Sequence, residues 1–88
     1  MATYRVVFRK SVQKDLRAIP KQDQIRILRR ISHLADDPRP VGCKKISGQE
    51  RYRLRQGNYR ILYEIIDGVL VVTVVEVGDR REVYRRKD

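Results

Sequence analysis

The 88-residue chain carries 21 lysines and arginines against 11 aspartates and glutamates, a formal net charge of +10. Its length fits one domain over residues 1–88 with a single modest core, and 41% hydrophobic with 36% charged residues suits a folded soluble protein better than a disordered one. No apolar stretch approaches the roughly 20 residues that span a bilayer, the first residues read as no apolar signal segment, so export is not expected, and a single cysteine, Cys43, excludes an internal disulfide and a cysteine-built zinc site.

Thr3 to Phe8 reads as a short β-strand. Val12, Leu16 and Ile19 fall at i, i+4 and i+7, one face of a helix that Pro20 interrupts. A second helix is expected from about Lys21 to Ala35, with Ile25, Leu28, Ile31 and Leu34 every three residues and Ile27 widening the stripe. Asp23 near its start agrees with the helix dipole. Asp37-Pro38-Arg39-Pro40 stops it, because proline restricts the preceding residue and donates no hydrogen bond. The segment through Gly48 reads as a basic loop holding Lys44 and Lys45.

From Arg51 the period changes to two. Arg51 to Arg55 alternates basic and apolar residues, Gly57-Asn58 offers a two-residue turn, and Tyr59 to Ile66 forms the return strand. Asp67-Gly68 carries a type I′ turn signal. Val69 to Val77 is apolar at almost every position, which predicts a central strand covered on both faces, ended by Gly78. A basic tail from Arg80 to Lys87 follows. The order β-α-α-β-β-β defines an α+β domain, with two helices on one face of a largely antiparallel sheet.

The expectation is a cytoplasmic protein whose positive field favours nucleic acid or an acidic protein partner. Counting outwards from Gly57-Asn58 sets Arg55 opposite Arg60, Arg53 opposite Leu62 and Arg51 opposite Glu64. Strand alternation then gathers Arg51, Arg53, Arg55 and Arg60 on one face, and turns Tyr52, Leu54, Ile61, Tyr63 and Ile65 to the other. A directly opposed arginine pair is unfavourable in a sheet, so a sequence that keeps one has an anion to place there. The alternative is a solvated face whose arginines pair with Glu64, Glu76 or Glu82. Arginine's planar fork suits phosphate recognition, which favours the functional reading for Arg53, Arg55 and Arg60.

The segment from Arg51 to Ile65 closely resembles the hairpin of RelE/ParE-superfamily toxins. Lys45-Ile46-Ser47-Gly48 resembles the step leading into that hairpin, and Val77 to Tyr84 (VGDRREVY) resembles the C-terminal signature of the RelE side. The resemblance covers nearly the whole chain. It implies the toxin of a type II toxin–antitoxin system that enters the ribosomal A site and cleaves mRNA without metal or other cofactor. In that chemistry the ribose 2′-hydroxyl attacks the adjacent phosphate, leaving a 2′,3′-cyclic phosphate and a 5′-hydroxyl. The resemblance also implies an acidic, RelB-like antitoxin, through which the complex binds its operator DNA. By resemblance Arg60 is the phosphate-stabilising arginine, and Arg53 and Arg55 stand where the family keeps catalytic basic residues. Arg80 matches the arginine after the glycine, with Arg81 its alternate, and Tyr84 matches the tyrosine that orients the substrate. Lys44, Lys45 and Arg51 are candidate contacts to ribosomal RNA, with solvated loop lysines and the Glu64 ion pair as the alternatives.

Two departures bear on mechanism. Arginines stand where some relatives carry lysines, and arginine does not lose its proton near neutral pH, so the general base is left unassigned. Asp79 stands where relatives often have histidine or lysine and is one candidate. His33 reads as a surface or interface residue, and as the single histidine it excludes a histidine-pair ribonuclease. Cys43 has no histidine or acid at a spacing that would activate it. Two further functions fit the same residues: a ParE-like inhibitor of DNA gyrase, and a non-catalytic RNA-binding protein.

Overall fold

In the computed structural model, residues 3–46 and 50–79 are described. Strand β1 (Arg5–Phe8) leads into helix α1 (Lys10–Arg17) and helix α2 (Lys21–Ser32), which a 3₁₀ turn at His33–Ala35 closes. Strands β2 (Lys44–Lys45), β3 (Arg51–Gln56), β4 (Tyr59–Ile66) and β5 (Val71–Asp79) follow. They form one sheet in the order β1-β5-β4-β3-β2, antiparallel throughout except where β1 joins β5. The architecture is the expected α+β arrangement, and β2 is an addition, since Lys44 and Lys45 pair with β3 where a loop was expected.

The helices cover one sheet face. Val12, Ile19, Ile27, Ile31 and Leu34 meet Tyr52, Leu54, Ile61, Tyr63, Ile65, Val72, Val74 and Val77 in a single buried cluster. The stripe of α2 runs at the 3.6-residue period through Ile27, Ile31 and Leu34, not at the three-residue period read from the sequence. Ile25 is 52% exposed and Leu28 40% exposed. A repeat of three falls about 60° short of a full helical turn at each step, so a line of four such residues drifts off the buried face.

Three details of β5 also differ from expectation. Asp67–Val69 forms a 3₁₀ turn with Leu70 in the left-handed region at φ 55°, so the connection is not the type I′ turn and the strand begins two residues late. The strand then continues through Gly78, which pairs with Arg60. Its central position between β1 and β4 holds, but of its apolar side chains Val72, Val74 and Val77 are buried, while Val71, Thr73 and Val75 are half-buried. A bulge between Leu62 and Tyr63 inserts Val75 into the ladder. Without that extra residue Val74 and Val77, three apart, would point to opposite faces.

A polar network ties the far edge of the sheet. Arg39 bonds Asp67 at 2.9 Å and the Tyr52 hydroxyl at 3.0 Å, and its guanidinium lies 5.3 Å from the centre of the Tyr52 ring. The Tyr4 hydroxyl donates to Asp67 at 2.6 Å. Tyr52 stacks on Tyr63, whose hydroxyl donates to the Pro38 carbonyl at 2.8 Å and whose burial raises its pKa. Hydrogen bonds from Arg39 and Tyr4 hold the Asp67 carboxyl below its ordinary 3.8, and the bond from Lys45 holds Glu50 below its ordinary 4.5.

Ile31→Ala should cost about 2–5 kcal/mol in urea denaturation, while Leu28→Ala should cost well under half of that, because only Ile31 leaves a cavity. The lowered carboxylates contribute stability that is intact above their ordinary values and lost as pH falls through the depressed folded values. The denaturation midpoint should therefore decline as pH falls below about 4, and Asp67→Asn with Glu50→Gln should flatten that decline.

Candidate nucleic-acid interface

The sheet face opposite the helices is built from three cross-strand rows. At the hairpin end, Arg55 of β3 pairs with Arg60 of β4, which pairs with Gly78 of β5. The next row on this face runs Lys44, Arg53, Leu62 and Glu76. The third runs Arg51, Glu64 and Thr73. The register matches the count from the turn. Positive charge therefore concentrates toward the hairpin tip, where the first row holds two guanidinium groups and no side chain on the third strand.

The arginines differ in their surroundings. Arg51 places Nε and Nη2 on one oxygen of Glu64, at 3.2 and 2.6 Å, and Arg9 approaches the other oxygen at 3.6 Å. Its charge is spent within the chain. Arg53 is half-buried and, like exposed Lys44, has no ion pair among the described residues. Arg60 is 6% exposed and is the one charged side chain in the buried set of the described residues. Arg55, Arg60 and Glu76 are each engaged within the chain. Lys45 registers with Tyr52, away from this face, and bonds Glu50 at 2.7 Å, which raises its pKa.

Asp79 registers with Tyr59, so alternation sets it on the helix side, away from the arginines. It lines a cleft of about 430 Å³ there, with Ser11, Lys14, Asp15, Tyr59 and Val77 among its walls. Asp15 accepts the Val77 backbone N–H at 3.2 Å, and the Tyr59 hydroxyl donates to Asp23 at 3.2 Å. Glu76 is the carboxylate that shares the arginine face without the Arg51 clamp that holds Glu64. From the sequence, Glu76 is expected only as an ion-pair partner of the arginines. Arg80, Arg81 and Tyr84 lie outside the described residues, and β5 delivers the chain to them at Asp79, one register step from Arg60. Among the described residues no three His, Cys, Asp or Glu side chains group as a metal site, and no helix is long and apolar enough to cross a membrane.

A helix-backed sheet with a cationic open face defines a class of small basic toxins. The model of the ParE toxin of type II toxin–antitoxin systems matches residues 6–84. A RelE-like toxin protein of Escherichia coli is 29% identical over 85 residues, covering 92% of this chain and 90% of its own. The fold superimposes with a TM-score of 0.80 on a chain of the archaeal RelE–RelB complex from Pyrococcus horikoshii, at 31% identity and covering 89% of this chain and 96% of that one. The isolated E. coli RelE toxin matches at TM-score 0.77 and 25% identity, with 96% and 94% of the two chains covered. The chain belongs to the RelE/ParE toxin superfamily of type II toxin–antitoxin systems.

The two hydrogen bonds from Arg51 to one oxygen of Glu64 predict a measurable coupling. A double-mutant cycle over Arg51→Gln and Glu64→Gln should return about 0.5–1 kcal/mol in chemical denaturation, the upper part of the range for partly exposed pairs.

Proposed function

We propose that this toxin is a ribosome-dependent mRNA endoribonuclease that cleaves in the A site and so blocks translation. The observation that carries the reading is the row Arg55–Arg60–Gly78 beside Arg53, cations packed on one sheet face with a glycine in line with them. Attack of a 2′-hydroxyl on the adjacent phosphate builds charge on the non-bridging oxygens, and guanidinium groups fixed in place stabilise it without reorganising. Arg60, held rigidly by burial, contacts the phosphorane-like transition state. Arg53 and Arg55 neutralise the phosphate and the departing 5′-oxygen, Arg80 and Arg81 add charge from the tail, and Tyr84 stacks on a base to align in-line attack. Of the rim cations, Lys44 faces ribosomal RNA directly, while Lys45 and Arg51 would first have to release Glu50 and Glu64. Since none of the arginines gives up a proton near pH 7, charge stabilisation and alignment supply most of the rate.

The relatives crystallised with RelB support an antitoxin partner. An acidic segment laid across the arginine face would neutralise it electrostatically, and operator DNA would be reached through that antitoxin. The second reading is inhibition of DNA gyrase, favoured by the ParE description of the matching family model.

One experiment separates these readings. Purified protein is added to a translating extract and to a gyrase supercoiling reaction, and mRNA cuts are mapped by primer extension. Codon-phased cuts that need ribosomes are expected; intact mRNA with blocked supercoiling would select the gyrase reading, and neither effect would leave a non-catalytic RNA binder. Arg60→Ala and Arg53→Ala should each lower the cleavage rate by about 100-fold or more and relieve growth arrest. Full toxicity of a folded Arg60→Ala protein would refute the site.

A further inference from the structure

Helix α1 holds an acid where its apolar stripe should continue. Val12, Leu16 and Ile19 pack into the core, and the remaining position of that i, i+3, i+4, i+7 pattern is Asp15. Asp15 is half-buried, and its Oδ2 accepts the Val77 backbone N–H at 3.2 Å. The sheet supplies the reason for an acceptor there. Strand β1 covers β5 only as far as Val74, which registers with Phe8 and whose carbonyl takes the Arg9 N–H at 3.0 Å. From Val75 to Asp79 the strand runs on along β4, and it enters that stretch through the bulge between Leu62 and Tyr63. On the side that β1 has left, Asp15 takes the N–H that a strand neighbour would have taken.

We propose, resting on the nuclease reading for the reaction itself, that Asp15 is a positioning residue of the toxin site: its bond to Val77 holds the end of β5 in place, and with it the row in which Gly78 meets Arg60. That stretch supplies the third strand's share of the arginine face, Glu76 in the row of Arg53 and Gly78 opposite Arg60, and its last residue, Asp79, leads to Arg80 and Arg81. An apolar residue at position 15 would bury more surface and need no partner, so the acid is kept for what it holds. A carboxylate suits that task, because a charge-assisted bond to a backbone N–H is shorter and stronger than a neutral one. The ladder between β3 and β2 does not depend on it, so Lys44 and Arg53 keep their places when the tether is cut.

The test compares Asp15→Ala with Asp15→Asn in the full chain. Asparagine keeps an oxygen that can accept the Val77 N–H; alanine does not, though it favours the helix. In the alanine protein the Val77 amide should exchange with deuterium about tenfold faster or more, while amides of β3 stay as they were. Ribosome-dependent cleavage should lose about 10–100-fold in kcat with KM for ribosomes nearly unchanged, and growth arrest should weaken in step. Asp15→Asn should restore exchange, kcat and growth arrest. Leu16→Ala, which loosens the same helix and leaves the bond intact, measures what instability alone removes. Wild-type kcat and growth arrest in the alanine protein overturn the proposal. So does a loss no greater than that of an equally destabilised Leu16→Ala protein, or an asparagine protein that exchanges normally at Val77 and stays inactive. Growth arrest reads the toxin whatever its target. If it follows the Val77 tether while the wild type cuts no mRNA, the nuclease reading alone fails.

Discussion

The two-residue turn at Gly57-Asn58 fixes everything that this sheet can do. Gly57 takes φ 61°, a conformation that costs a residue with a side chain and that opens a type II′ hairpin. With the turn fixed, each residue of β3 has one partner on β4, and Arg55 must face Arg60. A slip by one position would send Leu54, Ile61 and Tyr63 to solvent and the arginines into the core. The apolar face thus enforces the cationic one. Burial of Leu54, Ile61, Tyr63 and Ile65 supplies far more free energy than the repulsion between two guanidinium groups removes.

Arg60 shows how that surplus is used. An arginine at 6% exposure carries a desolvation cost of several kcal/mol unless its surroundings compensate, and it stands next to another arginine. Gly78 beside it, itself buried, contributes no side chain to the row. Arg51, by contrast, is clamped on Glu64 and spends its charge on the sheet itself. Two arginines on adjacent strands, four ladder positions apart, therefore serve different ends, and the difference lies in their cross-strand neighbours, not in their chemistry.

Much of this was legible in the chain. Alternation of arginine with Tyr52 and Leu54 and the turn residues specified strand, register and face, because period two leaves a single consistent answer. Helix α2 was legible as a helix, but its buried line was not. Five apolar residues, Ile25, Ile27, Leu28, Ile31 and Leu34, admit both a three-residue and a 3.6-residue line, and only packing against the sheet selects Ile27, Ile31 and Leu34. Strand β2 was hidden because two lysines have no strand propensity of their own; an open edge on β3 recruits them. The turn at Asp67 misled for a similar reason. Its side chain is held by Tyr4 and Arg39, partners remote in sequence, and tertiary bonds replaced the local I′ preference.

The same reasoning bears on how an all-arginine strand differs from one with lysines. A lysine on this face could shed its proton when desolvated and act as a base, whereas arginine stays charged, so proton transfer must come from another group. Asp79 registers on the helix side and Glu64 is clamped by Arg51. Among the described residues that leaves Glu76, on the arginine face and flanked across the ladder by Leu62. A carboxylate at that position can accept a hydrogen bond from a hydroxyl and so orient it. A face built this way keeps a permanently positive field and gives up a side chain that could move a proton.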